Sequence, residues 1–250
     1  MNKLDTLSTS QKPLLACYLP FADPLLPADL PKVYADCGVD IIEYGLPCGS
    51  PYADGPIVAA SMRRAYLKNA GLEGIADYLA RQKEILPEQS MVLMGYKENM
   101  DVPYLLGEIG QFIDGVLCLG DNIAHGASWQ YGDKKIHKIV FLPHDFSGSE
   151  LTKASAARGY IMLQSVAGLT GIREDIPDNK KKIDEIKNIS ADVPVLLGFG
   201  ISKKDHVRKS LAMGANGVVI GSACLDYAVK QDLRGLEIFL KEVRTTLDDC

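Results

Sequence analysis

The chain lacks the features that would place it in a membrane, outside the cell, or on nucleic acid. No apolar run approaches the roughly 20 residues of a membrane-spanning helix. The opening segment, Met1 to Lys12, is polar and has no apolar core of a secretory signal. The six cysteines, Cys17, Cys37, Cys48, Cys118, Cys224 and Cys250, are widely spread and form no CxxC pair. In a chain of 250 residues that pattern reads as reduced thiols of a cytosolic (cytoplasmic) protein. His125, His137, His144 and His206 show no paired ligand spacing, so no metal is expected. A basic stripe is also missing. Lys and Arg number 27 against 32 Asp and Glu, a net charge of -5, which excludes the usual electrostatic footprint of a nucleic-acid binder. Internal repeats, low-complexity tracts and linkers are absent.

What is present is apolar residues in short runs. Hydrophobic residues make up 47% of the chain, enough for one large core, and a single domain over residues 1–250 is expected. The apolar runs predict eight strands: Leu14–Leu19, Val39–Gly45, Met91–Gly95, Gly115–Leu119, Ile136–Leu142, Gly159–Gln164, Val193–Gly198 and Gly217–Ile220. Amphipathic or polar stretches separate them, at 28–37, 57–86, 103–112, 147–157, 179–189, 203–213 and 223–247. The second of these is long enough for two helices broken near Gly71. Near-continuous apolar strands imply burial on both faces, as in parallel sheets. Eight βα units in this length predict an α/β fold, a (β/α)8 TIM barrel. The alternative, a doubly wound open sheet, would carry a glycine-rich fingerprint after the first strand. Leu19-Pro20-Phe21-Ala22-Asp23-Pro24 stands there instead. The weakest unit is the fourth: only Gly120 to Lys135 separates strands four and five, and any helix there is expected to be short or irregular.

Active sites of such barrels are built from strand C-termini and the loops after them. The segment Ile42-Glu43-Tyr44-Gly45-Leu46-Pro47 delivers a carboxylate at a strand end. Asp54 follows eleven residues later, before Gly55-Pro56. Two acids, one on a strand and one on a loop over it, suit proton transfer. Taken alone, Glu43 could be a satisfied strand-end acid, and Asp54 could simply cap the helix beginning near Pro56. Glycines mark the ends of strands seven and eight, in Gly198-Phe199-Gly200-Ile201-Ser202 and Gly221-Ser222. Bare N–H groups on loops that open helices form an anion site, and this is the usual phosphate position of the barrel. A third glycine loop, Gly168-Leu169-Thr170-Gly171, is placed to act as a lid. The charged Ile172-Arg173-Glu174-Asp175 after it reads as solvated.

These motifs together resemble the tryptophan synthase alpha subunit family. They are Glu43-x-Gly-x-Pro47, Ala53-Asp54-Gly55-Pro56, Gly168-x-Thr170-Gly171, Gly198-Phe199-Gly200-Ile201-Ser202 and Gly221-Ser222-Ala223, in order over roughly 14–228. The resemblance implies a cofactor-free lyase of tryptophan biosynthesis that splits indole-3-glycerol phosphate into indole and glyceraldehyde 3-phosphate. It implies Glu43 as the acid/base and Asp54 as the group that accepts from the indole N–H and stabilises the protonated ring. Gly171, Gly200, Gly221 and Ser222 would hold the phosphate, and Thr170, in the third glycine loop, would also bind the substrate. Phe199 and Tyr18 would wall the indole pocket, although both aromatics could equally be core residues.

The chain departs from that pattern at Cys48-Gly49-Ser50-Pro51, where an acid is lost, at Met162 in place of a tyrosine, and at Leu119-Gly120-Asp121-Asn122-Ile123. Tyr96-Lys97-Glu98-Asn99 matches only loosely. Three of these segments border the beta subunit in the family. Three readings follow from the resemblance: an alpha subunit with a beta partner, a free-standing lyase (or a paralogue on a related phosphate), and a non-catalytic activating subunit.

Overall fold

The alternation of side chains along each strand decides the architecture. Successive strand residues point to opposite faces. Leu14, Ala16 and Tyr18 therefore gather with Ile41, Val92, Met94, Leu117, Ile139, Tyr160, Met162, Leu196 and Val219 in one cluster. Leu15, Cys17 and Leu19 join Ile42, Tyr44, Leu93, Val116, Leu163, Leu197 and Val218 in a second, larger one. The first cluster fills a barrel and the second lies between barrel and helices.

A computed structural model of the chain describes residues 2–10, 12–68, 71–120 and 128–250. Its strands are β1 (Leu14–Pro20), β2 (Ile41–Gly45), β3 (Ser90–Tyr96), β4 (Gly115–Leu119), β5 (Ser128–Tyr131), β6 (Lys134–Leu142), β7 (Ile161–Gln164), β8 (Val195–Gly198) and β9 (Gly217–Ile220). All except β5 pair in parallel in the order β4-β3-β2-β1-β9-β8-β7-β6, and β4 pairs with β6 to close the ring. The result is the predicted closed eight-stranded (β/α)8 barrel. The helices are α1 (Lys3–Thr9), α2 (Leu30–Asp36), α3 (Pro56–Lys68), α4 (Gly71–Ile85), α5 (Val102–Ile109), α6 (Gly148–Leu151), α7 (Lys180–Ile189), α8 (Lys204–Ala212), α9 (Ser222–Val229) and α10 (Leu233–Asp248). The second crossover is two helices, as expected, and Gly71 opens the second of them at φ +64°. No helix among the described residues is long and apolar enough to cross a membrane.

Two elements differ from expectation. The described part of the fourth unit, from residue 128, holds a strand that the sequence did not announce: β5 folds back antiparallel on β6 through a Gly132-Asp133 turn with Gly132 at φ +54°. The Asp121-Asn122-Ile123 segment lies outside the described residues. The second difference is α1, in a stretch whose sequence shows only polarity. Seven residues do not hold a helix by themselves, so its stability comes from docking. Buried Asn2 caps it, its Oδ1 accepting from the Leu4 N–H, and its Nδ2 donates to the carbonyls of Asp114 (2.6 Å) and Lys135 (2.7 Å) beside the starts of β4 and β6. Leu4 then plugs the barrel floor. A Cβ on Gly115 or Gly159 would lie only 3.0 Å from its Cδ1, so glycine at both sites makes room for the plug.

Candidate active site

The period-2 pattern of β2 turns Ile41 and Glu43 inward, and Ile42 and Tyr44 outward to the helices. Glu43 is thus delivered into the barrel with 1% of its surface exposed. Its Oε1 accepts a hydrogen bond from the Tyr160 hydroxyl. Burial pushes the Glu43 carboxyl up to about 7, and the Tyr160 bond, which favours the anion, only partly offsets this. A carboxyl poised near neutrality can both give and take a proton.

Asp54 reaches the same space from the loop between β2 and α3. Its carboxylate does not cap α3. Oδ2 accepts from the Tyr96 hydroxyl at the end of β3 (2.6 Å), and Oδ1 accepts from Thr170 Oγ1 (3.2 Å). Burial raises its carboxyl to about 6 against the pull of these two donors. Tyr52 packs edge-on against Tyr96, ring centroids 4.7 Å apart, and supports it from outside. The two acids therefore differ in environment: Glu43 has one phenolic donor in an apolar barrel, while Asp54 has two donors and the lower value.

The loop after β7 lies down on the loop after β2. Thr170 N–H donates to the Ala53 carbonyl (3.1 Å), and Thr170 Oγ1 accepts from Gly55 N–H (2.9 Å). Glycine is required at 55, because a Cβ there would sit 2.0 Å from the Thr170 carbonyl oxygen. The other end of the lid is held by Gln164, which donates to the Gly168 carbonyl (2.6 Å) and accepts from His144 N–H (2.9 Å). The lid's downstream arm pairs with the loop after β8 through an Ile172–Gly200 bridge.

In that β8 loop Phe199 stands at φ +66° and Gly200 at φ +88°. The first is a strained conformation for an aromatic residue. Ser165 Oγ, donating to the Phe199 carbonyl, holds it there. Buried His206 ties this loop to the lid arm, its Nδ1 accepting from Ser202 N–H (3.3 Å) and its Nε2 lying 3.1 Å from the Glu174 carbonyl. Ser222 opens α9 directly behind Gly221.

All nine residues singled out from the sequence line one cavity: Tyr18, Glu43, Asp54, Thr170, Gly171, Phe199, Gly200, Gly221 and Ser222. Its apolar wall adds Met94, Met162, Val58, Ile201 and Val219. A carboxyl near 7 and another near 6 stand in one cavity with the glycine loops after β8 and β9.

Comparison with known proteins agrees with this geometry. The profile of the tryptophan synthase alpha chain family matches residues 4–248. The chain belongs to the tryptophan synthase alpha chain family. The alpha chain of Arabidopsis thaliana is 31% identical, covering 96% of this chain and 92% of its own length. That of Xylella fastidiosa is 30% identical, covering 99% of each. Among solved structures, the tryptophan synthase alpha chain of Legionella pneumophila superposes over 100% of this chain and 98% of its own with a TM-score of 0.78, at 20% identity. A structure of Mycobacterium tuberculosis tryptophan synthase superposes at 0.75 over 98% of this chain and 96% of its own, with 21% identity. These likenesses show the alpha-chain fold.

Three supporting residues escaped the motif reading: Tyr160, Gln164 and His206. Tyr160, just before β7, faces the barrel with Met162 by alternation, and that signal was available once the strand was drawn. Gln164 and His206 carry no local signal, because each acts by bridging loops distant in the chain. Arg173, expected to be solvated, is half-buried, with Nη2 donating to the Leu169 carbonyl (2.9 Å).

Proposed function

We propose that this chain is an alpha-type lyase that cleaves indole-3-glycerol phosphate to indole and glyceraldehyde 3-phosphate, with Glu43 and Asp54 as its two working acids. The observation that carries the reading is the pair of carboxyls in one buried cavity, raised to about 7 and about 6. Protonated Glu43 gives its proton to the indole ring carbon that bears the glycerol chain. Asp54, ionised, accepts from the indole N–H and offsets the positive charge of the protonated ring. The C–C bond then breaks, its electrons return to the ring, and the side-chain hydroxyl adjacent to the bond loses its proton to Glu43 as it becomes the aldehyde. Glu43 ends protonated as it began, so the chemistry needs no added cofactor.

The phosphate is read as lying against Gly171, Gly200, Gly221 and Ser222, where backbone N–H groups and the start of α9 favour an anion. Phe199, Tyr18 and the apolar wall sandwich the indole, and Thr170 couples lid closure to the placing of Asp54. Gly200 tests the phosphate assignment. A Cβ there meets Arg173 Cγ at 2.8 Å, at a φ that non-glycine residues resist. Gly200→Val is expected to raise KM for the phosphorylated substrate about tenfold or more with a smaller change in kcat, and to cost about 1–2 kcal/mol of stability. An equal effect on a substrate lacking the phosphate would remove Gly200 from the phosphate site.

For the partner, the reading is a tryptophan synthase beta subunit on the face where the loops after β2 and β3 come near Gly120 at the end of β4. Tyr52 stands at that junction, about half exposed, with its hydroxyl where a Cβ of Gly120 would fall, and the altered Cys48-Gly49-Ser50 stretch lies just before it. The same alteration favours a second reading, a lyase that works without a beta subunit. Retention of both carboxyls weighs against a non-catalytic subunit. Indole production by the purified chain, with and without a beta subunit, separates these. Activity only on mixing supports the alpha-subunit reading. Full activity alone supports the free-standing lyase, and none in either case overturns both.

A further inference from the structure

Resting on the lyase reading above, we propose that Arg173 is a phosphate-pairing, specificity-determining residue carried on the lid. The cavity wall itself has no lysine or arginine, so its anion subsite is built of neutral glycine and serine backbone. Arg173 is the cation that lies against it. Its Nη1 is 3.2 Å from where a Cβ of Gly171 would be, and its Cγ is 2.8 Å from where a Cβ of Gly200 would be. The side chain thus lies across two of the glycines that frame the subsite, and the missing side chains at 171 and 200 are what leave it room.

Three further contacts aim it. The backbone on either side is fixed, by the Ile172–Gly200 bridge and by Ser202 Oγ donating to the Arg173 carbonyl (3.4 Å). The residue is half-buried, and its guanidinium, at the exposed end, is braced by its Nη2 bond to the Leu169 carbonyl. It forms no ion pair with a carboxylate of the described residues, although Glu174 and Asp175 follow it directly and Asp175 pairs instead with Lys209. An arginine held beside an anion cradle, with its carboxylate neighbours turned elsewhere, has a charge to spend on the ligand. Guanidinium suits a phosphate because its donors match two of the oxygens at once. Because Arg173 sits on the lid arm, pairing with bound phosphate would also hold the lid down, so phosphorylated substrate closes its own cover.

The test compares Arg173→Gln and Arg173→Lys with the unaltered chain on indole-3-glycerol phosphate and on its phosphate-free analogue. Arg173→Gln is expected to lower the preference for the phosphorylated substrate, as a ratio of kcat/KM values, about 10- to 100-fold, chiefly through KM. Arg173→Lys, which keeps the charge but not the fork, should restore part of it. A rise of KM with salt is expected in the unaltered chain and should flatten in Arg173→Gln. Equal losses on both substrates would make Arg173 a structural brace for Leu169 and overturn the proposal, as would an unchanged ratio. Calorimetric binding of inorganic phosphate separates this from the lyase reading. If the chain cleaves neither substrate yet binds phosphate about tenfold more weakly after Arg173→Gln, the lyase reading falls and the Arg173 assignment stands. Equal phosphate affinity in the two proteins overturns it.

Discussion

Glu43→Gln is expected to lower indole release from indole-3-glycerol phosphate by about three orders of magnitude or more, with substrate binding retained. General acid–base groups contribute about 10²–10⁴ each, and here one group is asked to deliver a proton and to accept another. Glutamine keeps the size and can still accept from Tyr160, so the cavity is preserved while its proton chemistry is removed. Turnover within tenfold of the unaltered chain would end the catalytic assignment.

The same substitution has an effect on stability, of a sign that burial determines. The Glu43 carboxyl is raised to about 7 from an ordinary value of 4.5. Between those values the folded chain holds a proton that the unfolded chain has released. Its contribution to stability therefore falls as pH rises from about 4.5 to about 7, by an amount on the order of 3 kcal/mol. Glu43→Gln removes that penalty. The inactive variant should melt at a higher temperature than the parent at pH 8, and the gap should narrow toward pH 5. A gap that does not vary with pH would contradict the buried, raised carboxyl. The buried carboxyl of Glu43, on the proposed reading, is in this sense kept at the expense of stability.

Asp54→Asn carries the second large expectation, a fall in kcat of about 10²–10³ with KM little changed. In the proposed mechanism the carboxylate acts on a charge that exists only after the ring is protonated, so its loss would be felt in the transition state and not in binding. Asparagine can accept from Tyr96 with its oxygen and donate to Thr170 Oγ1 with its Nδ2, so the lid contact survives with its direction reversed. A larger change in KM than in kcat would recast Asp54 as a latch for the lid. The two acids also set the pH dependence. Activity should rise as Asp54 ionises near 6 and fall as Glu43 loses its proton near 7, giving a narrow maximum between them. In Asp54→Asn the rise should flatten while the fall above about 7 persists.

How much of this was legible in the sequence differs element by element. The eight parallel strands were legible because strands buried on both faces read as apolar runs, and glycine or proline ends each run. Their boundaries shifted by up to two residues, as at Val39, Gly159 and Val193, where the chain is apolar or extended before pairing begins. The nine cavity residues were legible because barrel chemistry sits at strand ends, and the family motifs mark those ends. α1 was not legible. It depends on Asn2 finding carbonyls more than 100 residues away, and a seven-residue polar stretch shows nothing of that. β5 was hidden because a fourth crossover rich in glycine gives no period of either kind.

The sequence by itself determined the barrel and the family and singled out the two candidate acids. These depend on local patterns: alternation, apolar runs, and glycines at strand ends. The tertiary structure alone decided what those acids are. A carboxyl near 7 arises from an apolar barrel interior assembled from eight strands, with a tyrosine 117 residues away in the chain as its hydrogen-bond donor. Asp54 is a lid-coupled acceptor and not a helix cap because Tyr96 and Thr170 reach it from other strands' ends. Arg173, a solvated charge by its neighbours in sequence, lies over Gly171 and Gly200 because these glycines leave it the space. Proton affinity and charge pairing depend on solvent exclusion and on distance, and neither is a property of a residue's neighbours along the chain.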